Sequence, residues 1–306
     1  MNSDKVDLLA LNAKINAILP SLYEDRSNEI EPVSMGSASL KFGSDGKVAW
    51  DEIWTHFCDL ALAGGPPHRG TLLEPASEVE VHAEPDLYAQ VIDEIERGIS
   101  LVTGLSVLPR TRHGWVGVLC HSSGMAAWLV RAIVAENVMA RHHDDILLLP
   151  AGPHYQLAKE IKNVVVVLAK TAHFWSDHMS IDQQAAITSI LVNNAADPEL
   201  LEPASRAEIG TALDEYQVVA NEIEQGVRAT TGLQATPCFY SGWLGIRCTD
   251  HRMANWLMRA IVVENVLVRR EWDVLFVPLH PEFLRQGKCQ RIIDAVASGH
   301  RLWSME

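Results

Sequence analysis

The stretch Gly114-Trp115-Val116-Gly117-Val118-Leu119-Cys120 occurs a second time in this chain as Gly242-Trp243-Leu244-Gly245-Ile246-Arg247-Cys248. The similarity continues to Arg141 in the first copy and to Arg269 in the second, and 16 of the 28 aligned positions are identical. The copies align without a gap at a spacing of 128 residues. Self-similarity at a fixed spacing predicts a tandem duplication in which each copy forms the same supersecondary unit.

Each copy is predicted to form an α-β-β-α-β-α unit, because long segments have helical spacing of apolar residues and short segments have the apolar character of strands. The predicted elements of the first copy are a helix over 86–103, strands over 105–109 and 115–120, a helix over 123–141, a strand over 146–149 and a helix over 155–175. A helix connects the second strand to the third, so we expect these two strands to lie parallel with a right-handed crossover. The fold class is therefore α/β with mixed sheets, and two equivalent halves favour a pseudo-twofold relation.

Four segments are expected along the chain. They are a small α+β segment with a Gly/Pro loop (1–71), the first repeat (72–180), a linker helix and loop (181–199) and the second repeat (200–306). The first segment is predicted to contain a helix over 6–16, a hairpin over 38–50 and a helix over 51–63 capped by Asp51.

The composition is that of a globular protein, with 48% apolar and 21% charged residues, and it argues against several partners. The net charge is −14 and no run of Lys or Arg stands out, which disfavours nucleic acid and an anionic membrane surface. Five scattered cysteines without a CxxC pair do not indicate a disulfide framework. We find no signal peptide and no apolar run of about 18 residues, and therefore expect a cytoplasmic protein. Homo-oligomerisation stays open.

The strand-to-helix turn of each repeat is a candidate ligand site. In a sheet with parallel strands, ligands prefer the carboxyl ends of strands and the N-termini of the following helices. The turns are Cys120-His121-Ser122-Ser123-Gly124 and Cys248-Thr249-Asp250-His251-Arg252, which differ almost entirely inside a common frame. This divergence suggests that the two halves contribute different groups to one site, although loop drift is the commoner cause.

Three chemistries fit these turns. Cys120 and His121 would be a nucleophile and its base, but neighbouring residues of an extended strand point to opposite faces. Cys120, Cys248 and His251 would bind zinc if the repeats bring the turns together. The favoured alternative is an anion site, in which Ser122, Ser123 and Arg252 at the helix N-termini hold a phosphate or carboxylate group. Buried cysteines without a chemical role are the simplest interpretation of the thiols.

A carboxylate recurs in the apolar stripe of the long helix, as Glu136 in the first repeat and Glu264 in the second. A buried carboxylate has to be paired, protonated or bound to a metal, since an unpaired buried charge is too costly. One interpretation is a general base with a raised pKa. The other, which we favour, is a structural ion pair or hydrogen bond, with Arg141, Arg269 or a backbone N–H as partner.

Histidines outside the turns provide further candidates. His68 and Arg69, in the loop over residues 64–70, would bind an anion if this loop is more than a domain linker. His173 and Asp177 lie one turn apart and could share a metal or a proton, with His56 and Asp59 as further contributors. His142 and His143 are interpreted as a solvated helix end.

Two classes of function remain. The first is a cytoplasmic enzyme that acts on a small anionic metabolite by acid–base chemistry in a cleft between the repeats, with Glu136 or Glu264 and His121 or His251 as proton carriers. His68, Arg69 or Arg252 would hold the anion. The alternative is a non-catalytic small-molecule-binding, regulatory or interaction protein. The cofactor is undetermined, with a divalent metal as the candidate.

Overall fold

A computed structural model describes residues 3–23, 39–53, 60–66, 71–108, 112–193 and 199–305 of the chain. The described residues divide into two compact units. What we call the first unit contains residues 20–22, 39–53, 60–66, 71–108 and 112–188, and the second unit contains 3–19, 23, 189–193 and 199–305. The N-terminal helix α1 (Ser3–Ala17) thus belongs to the second unit.

The first unit consists of helices and one small sheet. Its helices are α2 (Glu78–Ala83), α3 (Pro85–Thr103), α4 (Ser123–Ala135) and α5 (Lys162–Asp177), with α6 (Ile181–Leu191) at its end. Its strands are β1 (Ser106–Val107), β2 (Trp115–Leu119), β3 (Arg141–His143) and β4 (Ile146–Pro150). Gly104 ends α3 in the left-handed conformation at φ 67°, as the sequence predicted.

The second unit contains the same order of elements. Its helices are α7 (Arg206–Thr211), α8 (Leu213–Thr231), α9 (His251–Val262) and α10 (Lys288–Trp303). Its strands are β5 (Gln234–Thr236), β6 (Trp243–Arg247), β7 (Arg269–Glu271) and β8 (Val274–Pro278). The chain is a mixture of helix and sheet, as expected.

Each unit has a four-stranded sheet in which all named strands pair antiparallel, in the orders β1-β2-β4-β3 and β5-β6-β8-β7. The prediction that the second and third strands lie parallel is wrong. The physical reason is an additional strand, β3 or β7, between the long helix and the predicted third strand. This strand forms a hairpin with the next one and reverses the chain, so β4 runs opposite to β2.

The long helix is also shorter than predicted, because it ends at Ala135 and not at Arg141. Asn137 takes the left-handed conformation at φ 62°, which ends a helix. The chain then becomes extended, and Leu73 bonds to both sides of Val138 through Asn137 O and Met139 N, each at 2.9 Å. His142 and His143, predicted to be a solvated helix end, are therefore part of β3.

The N-terminal predictions are only partly within the described residues. Phe42 and Val48 form an antiparallel bridge, which agrees with the predicted hairpin. The helix expected over 51–63 is interrupted, since the described part has separate 3-10 turns at Trp50–Glu52 and Ala61–Ala63 and non-helical Ile53 and Leu60. In the part of the chain that the structure describes, no helix has both the length and the apolar character needed to cross a bilayer.

Helix α4 lies in the core of the first unit, and α9 lies in that of the second. In α4 every residue from Gly124 to Ala135 is buried. One face of the sheet packs against the helices through Val116, Val118, Leu147 and Leu149, which are at most 3% exposed. We call the opposite face of the sheet, which carries Leu119, Ile146 and Leu148, the outer face.

Candidate functional site

The turn that precedes α4 is closed by its own side chain. Ser122 is the N-cap of α4, and its hydroxyl oxygen accepts a hydrogen bond from Met125 N at 3.1 Å. His121 and Ser122 are exposed and Ser123 is half-buried. The cap already satisfies one of the N–H groups that an anion would use.

The corresponding turn of the second unit carries a negative charge at the same place. Asp250 caps α9, and its carboxylate accepts from Met253 N at 2.8 Å. His251 and Arg252 are exposed in the first turn of the helix. An anionic ligand would meet the Asp250 carboxylate here, and the antiparallel sheets remove the parallel-strand premise on which the anion site was placed.

Within one unit, the predicted proton carriers lie at opposite ends of a helix. His121 precedes α4 and Glu136 follows it, so a 13-residue helix, roughly 20 Å long, separates them. His251 begins α9 and Glu264 lies beyond its end. A glutamate and a histidine of the same unit therefore cannot act on the same substrate atom. Combinations that use groups of both units stay predictions.

Glu136 is fully buried and ion-paired. Its Oε1 accepts from Lys170 Nζ at 2.8 Å and from Ala61 N at 2.8 Å, while its side chain is 0% and that of Lys170 5% exposed. Its other oxygen, Oε2, has no hydrogen-bond donor among the described residues. The partner is a lysine of α5, which sequence reasoning did not identify. This environment agrees with the interpretation of Glu136 as one member of a structural ion pair.

Glu264 has a different partner, and its side chain is more exposed to solvent than that of Glu136. Lys14 of α1 donates to its Oε1 at 2.7 Å, and the two side chains are 36% and 40% exposed. Ser298 stands where Lys170 would be expected from the 128-residue spacing. The carboxylate of Glu264 is therefore paired with a cation of the N-terminal helix α1, which lies 250 residues earlier in the sequence.

The two turn cysteines are kept in the thiol form. Burial raises the pKa of Cys120 to about 12 and that of Cys248 to about 12. Both residues are at most 4% exposed. A thiol with so high a pKa is a poor nucleophile and has to lose its proton before it can bind zinc. The geometry agrees with cysteines that serve as small apolar side chains.

We expect Cys120 and Cys248 to resist alkylation by N-ethylmaleimide at pH 8 in the folded protein. Their thiolate fraction is roughly a thousandfold below that of an ordinary cysteine, and burial excludes the reagent. Peptide mapping by mass spectrometry measures the labelling, and the same protein in denaturant provides the control. Rapid labelling of Cys120 in the folded state would contradict the assignment.

The remaining predicted site residues fall into two groups. The first group lies outside the described residues and consists of His56, Asp59, His68 and Arg69. The second group is the cluster around His173. His173 Nδ1 is 2.6 Å from Asp177 Oδ2, and its Nε2 is 3.3 Å from Nε2 of His178. The ligand atoms of these three side chains do not all lie within 4.8 Å of one another, so the three do not form a common metal site as they stand.

One group of potential metal ligands is found among the described residues, and the sequence had not indicated it. Glu78, His82 and His113 each offer a ligand atom, and these atoms lie within 4.8 Å of one another. Glu78 and His82 have the i, i+4 spacing that places two side chains on one face of a helix, which is a detectable signal. His113 joins them only through the tertiary structure.

Comparisons of this chain with models of known protein families, with curated proteins and with solved structures found no match.

Proposed function

We propose that this protein is a non-catalytic interaction protein whose first unit binds an aromatic side chain of a partner polypeptide on the outer face of its sheet. The observation that carries the proposal is a difference between the two units at this face. The second unit covers the face with its own Tyr240, and the first unit has Arg112 at the corresponding position, 128 residues earlier.

In the second unit, Tyr240 completes an aromatic box around a buried cation. The guanidinium carbon of Arg269 lies 4.2 Å from the ring centroids of Tyr240 and Phe276, and 5.5 Å from that of Trp243. Tyr240 meets Phe276 edge to face at 5.5 Å. Burial, followed by a hydrogen bond with Glu271, raises the pKa of Tyr240. Arg269 is 0% exposed as a result.

In the first unit, the equivalent face is only half-covered. Arg141 occupies the position of Arg269 and lies 5.8 Å from the Trp115 ring centroid, but it is half-buried. Leu148 pairs with Arg141 and is half-buried, whereas its counterpart Phe276 is 4% exposed. An aromatic side chain from outside would complete this box as Tyr240 does in the second unit.

The same face of β2 and β4 continues the apolar surface. Leu119 lies opposite Ile146 in the register, and Leu119 is 39% exposed. The second unit has Arg247 in place of Leu119, and this arginine bonds to Asp273 at 2.8 Å and 2.9 Å. An apolar surface beside a cation suits an aromatic anchor residue flanked by aliphatic groups.

Catalysis has less support from the same residues. Glu136 is engaged by Lys170, and burial keeps the turn thiols protonated. The enzyme acting on a small anionic metabolite stays a prediction, as do the cytoplasmic location and homo-oligomerisation.

The proposed duplication is supported by the equal strand orders, by matching registers and by ring pairs Trp128–Trp175 at 5.9 Å and Trp256–Trp303 at 6.0 Å.

Selection of random displayed peptides on the full chain tests this proposal. We expect selected peptides to share a Tyr, Trp or Phe. Leu119→Asp should weaken their binding at least about tenfold, because a carboxylate would be buried in an apolar contact. Arg112→Tyr should also abolish binding, since it would supply the missing ring from within the chain.

The matched control is Leu101→Asp on α3, a leucine of the same unit that is 52% exposed and belongs to a helix and not to the sheet. This variant should bind the selected peptides like the unmodified protein. Peptides without aromatic residues, or binding that is unchanged in Leu119→Asp, would refute the proposal.

A further inference from the structure

We propose that Glu78, His82 and His113 form a binding site for a divalent transition metal, and that zinc fits the ligands best. Two imidazoles and a carboxylate are ligands that zinc accepts readily. This inference does not rest on the interaction proposed for the sheet, because Glu78, His82 and His113 take no part in that proposal. It also uses none of the turn residues for which the sequence suggested zinc.

The three side chains already lie close together. His113 Nδ1 is 3.5 Å from Glu78 Oε1, and the rings of His82 and His113 are 4.7 Å apart, edge to face. Two ligand atoms on a tetrahedral zinc ion are separated by about 3.4 Å. All three side chains are exposed, so small rotations bring the remaining atoms to that separation.

The start of α2 holds two of the ligands in place. Ser77 Oγ accepts from Glu80 N at 3.3 Å, and the Glu80 carboxylate accepts from Ser77 N at 2.7 Å. This capping box fixes the first turn of the helix. Glu78 and His82 are one turn apart and project from the same face.

A backbone clamp brings His113 to that helix. Ala151 O accepts from Ala76 N at 3.0 Å, and Ala151 N donates to Gly114 O at 2.8 Å. Gly114 N donates to the Tyr88 hydroxyl at 2.9 Å. Gly114 approaches so closely that a Cβ placed on it would lie 2.2 Å from Ala76 O. His113, which precedes Gly114, is thereby held beside Ser77 and Glu78, which follow Ala76.

The second unit has the same clamp without the ligands. Gly242 bonds to Leu279 at 2.7 Å and to the Tyr216 hydroxyl at 3.2 Å, and Ser205 forms the same capping box with Glu208. The positions of the three ligands are occupied by Arg206, Gly210 and Ser241. The fold therefore does not require Glu78, His82 and His113, and a binding role explains why all three occur together.

Three protein ligands leave one coordination position of a tetrahedral ion open. Water would occupy it, or an oxygen or nitrogen atom of another molecule. The site lies at the surface, so a group of a partner molecule has access to it. Such a metal would be bound reversibly, since all three ligands are exposed to solvent.

Titration of the full, tag-free chain with cobalt(II) and then with zinc tests the site. We expect one equivalent of cobalt to give the visible absorption of a tetrahedral complex, and zinc to displace it. His82→Ala and His113→Ala should each weaken cobalt binding at least about tenfold. Circular dichroism checks that both variants keep the native fold, which is expected because the two side chains are exposed.

The second unit supplies a gain-of-function test. Arg206→Glu, Gly210→His and Ser241→His together should create a second site and raise the stoichiometry from one to two. A Cβ placed on Gly210 would meet no atom within 4 Å, so the backbone at this position has room for a side chain. His173→Ala is the control and should leave the stoichiometry at one. Unchanged binding in His82→Ala and His113→Ala, or loss of the site in His173→Ala, would overturn the proposal.

Discussion

Replacing Lys170 by methionine is expected to lower the free energy of unfolding of the first unit by about 3–5 kcal/mol. The reason is that Glu136 is fully buried and Lys170 Nζ, at 2.8 Å, is the cation that neutralises it. Without the lysine, the carboxylate would retain the Ala61 N–H but would lose its cation inside the core. Urea denaturation followed by circular dichroism and tryptophan fluorescence measures the loss.

Two companion variants separate this explanation from a general loss of packing. Glu136→Gln in the Lys170→Met background should recover part of the stability, since a neutral amide costs less to bury than an unpaired carboxylate. Lys14→Met removes the equivalent pair in the second unit, where both side chains are more than a third exposed. It should cost less than about 1 kcal/mol. Equal losses for Lys170→Met and Lys14→Met would contradict the argument.

Gly114→Ala is expected to cost about 3 kcal/mol or more of stability. Gly114 has φ 78°, in the left-handed region, and an added Cβ would lie 2.2 Å from the backbone oxygen of Ala76. The backbone conformation alone costs about 1–2 kcal/mol in a residue with a side chain. The overlap adds about 1–3 kcal/mol, because a backbone oxygen has to move. Thermal and urea unfolding measure the effect.

The chain contains a matched control for this prediction. Gly104 has φ 67° but no atom within 4 Å of an added Cβ, so Gly104→Ala should cost only about 1–2 kcal/mol. Gly242→Ala, where the added atom would lie 2.4 Å from Ala204 O, should resemble Gly114→Ala. If Gly104→Ala destabilises as strongly as Gly114→Ala, the close approach to Ala76 is not the cause. A separate consequence of Gly114→Ala is displacement of His113, so cobalt binding should weaken as well.

The sequence predicted local structure well where a local signal exists. The helix expected over 86–103 is observed as Pro85–Thr103, and Gly104 ends it as predicted. The strand expected at 115–120 is observed at Trp115–Leu119. The helix predicted to end at Arg141 ends at Ala135. Glu136 has the helical spacing of the apolar residues before it, so spacing alone predicts that the helix continues. The signal that ends the helix is the single residue Asn137, which takes the left-handed conformation.

The candidate site was less accessible to sequence reasoning. The position of Glu136 in an apolar stripe correctly required a partner for its carboxylate. That partner is Lys170, which lies on another helix. Glu78 and His82 show helical spacing, whereas His113 belongs to a different loop, and no periodicity links them. His113 meets them because the backbones of Ala76 and Gly114 are joined by the same clamp through Ala151.

The sequence by itself determined the recurrence of 16 identical positions in 28, the main helices with their glycine ends, and the need to neutralise a buried carboxylate. Each of these depends on residues close together along the chain or on residue type alone. Only the tertiary structure decided the antiparallel direction of β4, the different cations of Glu136 and Glu264, and the meeting of His113 with Glu78. The physical reason is that strand pairing, ion pairing and ligand assembly are contacts between distant segments. Their free energy depends on positions in space, which local propensity and periodicity do not encode.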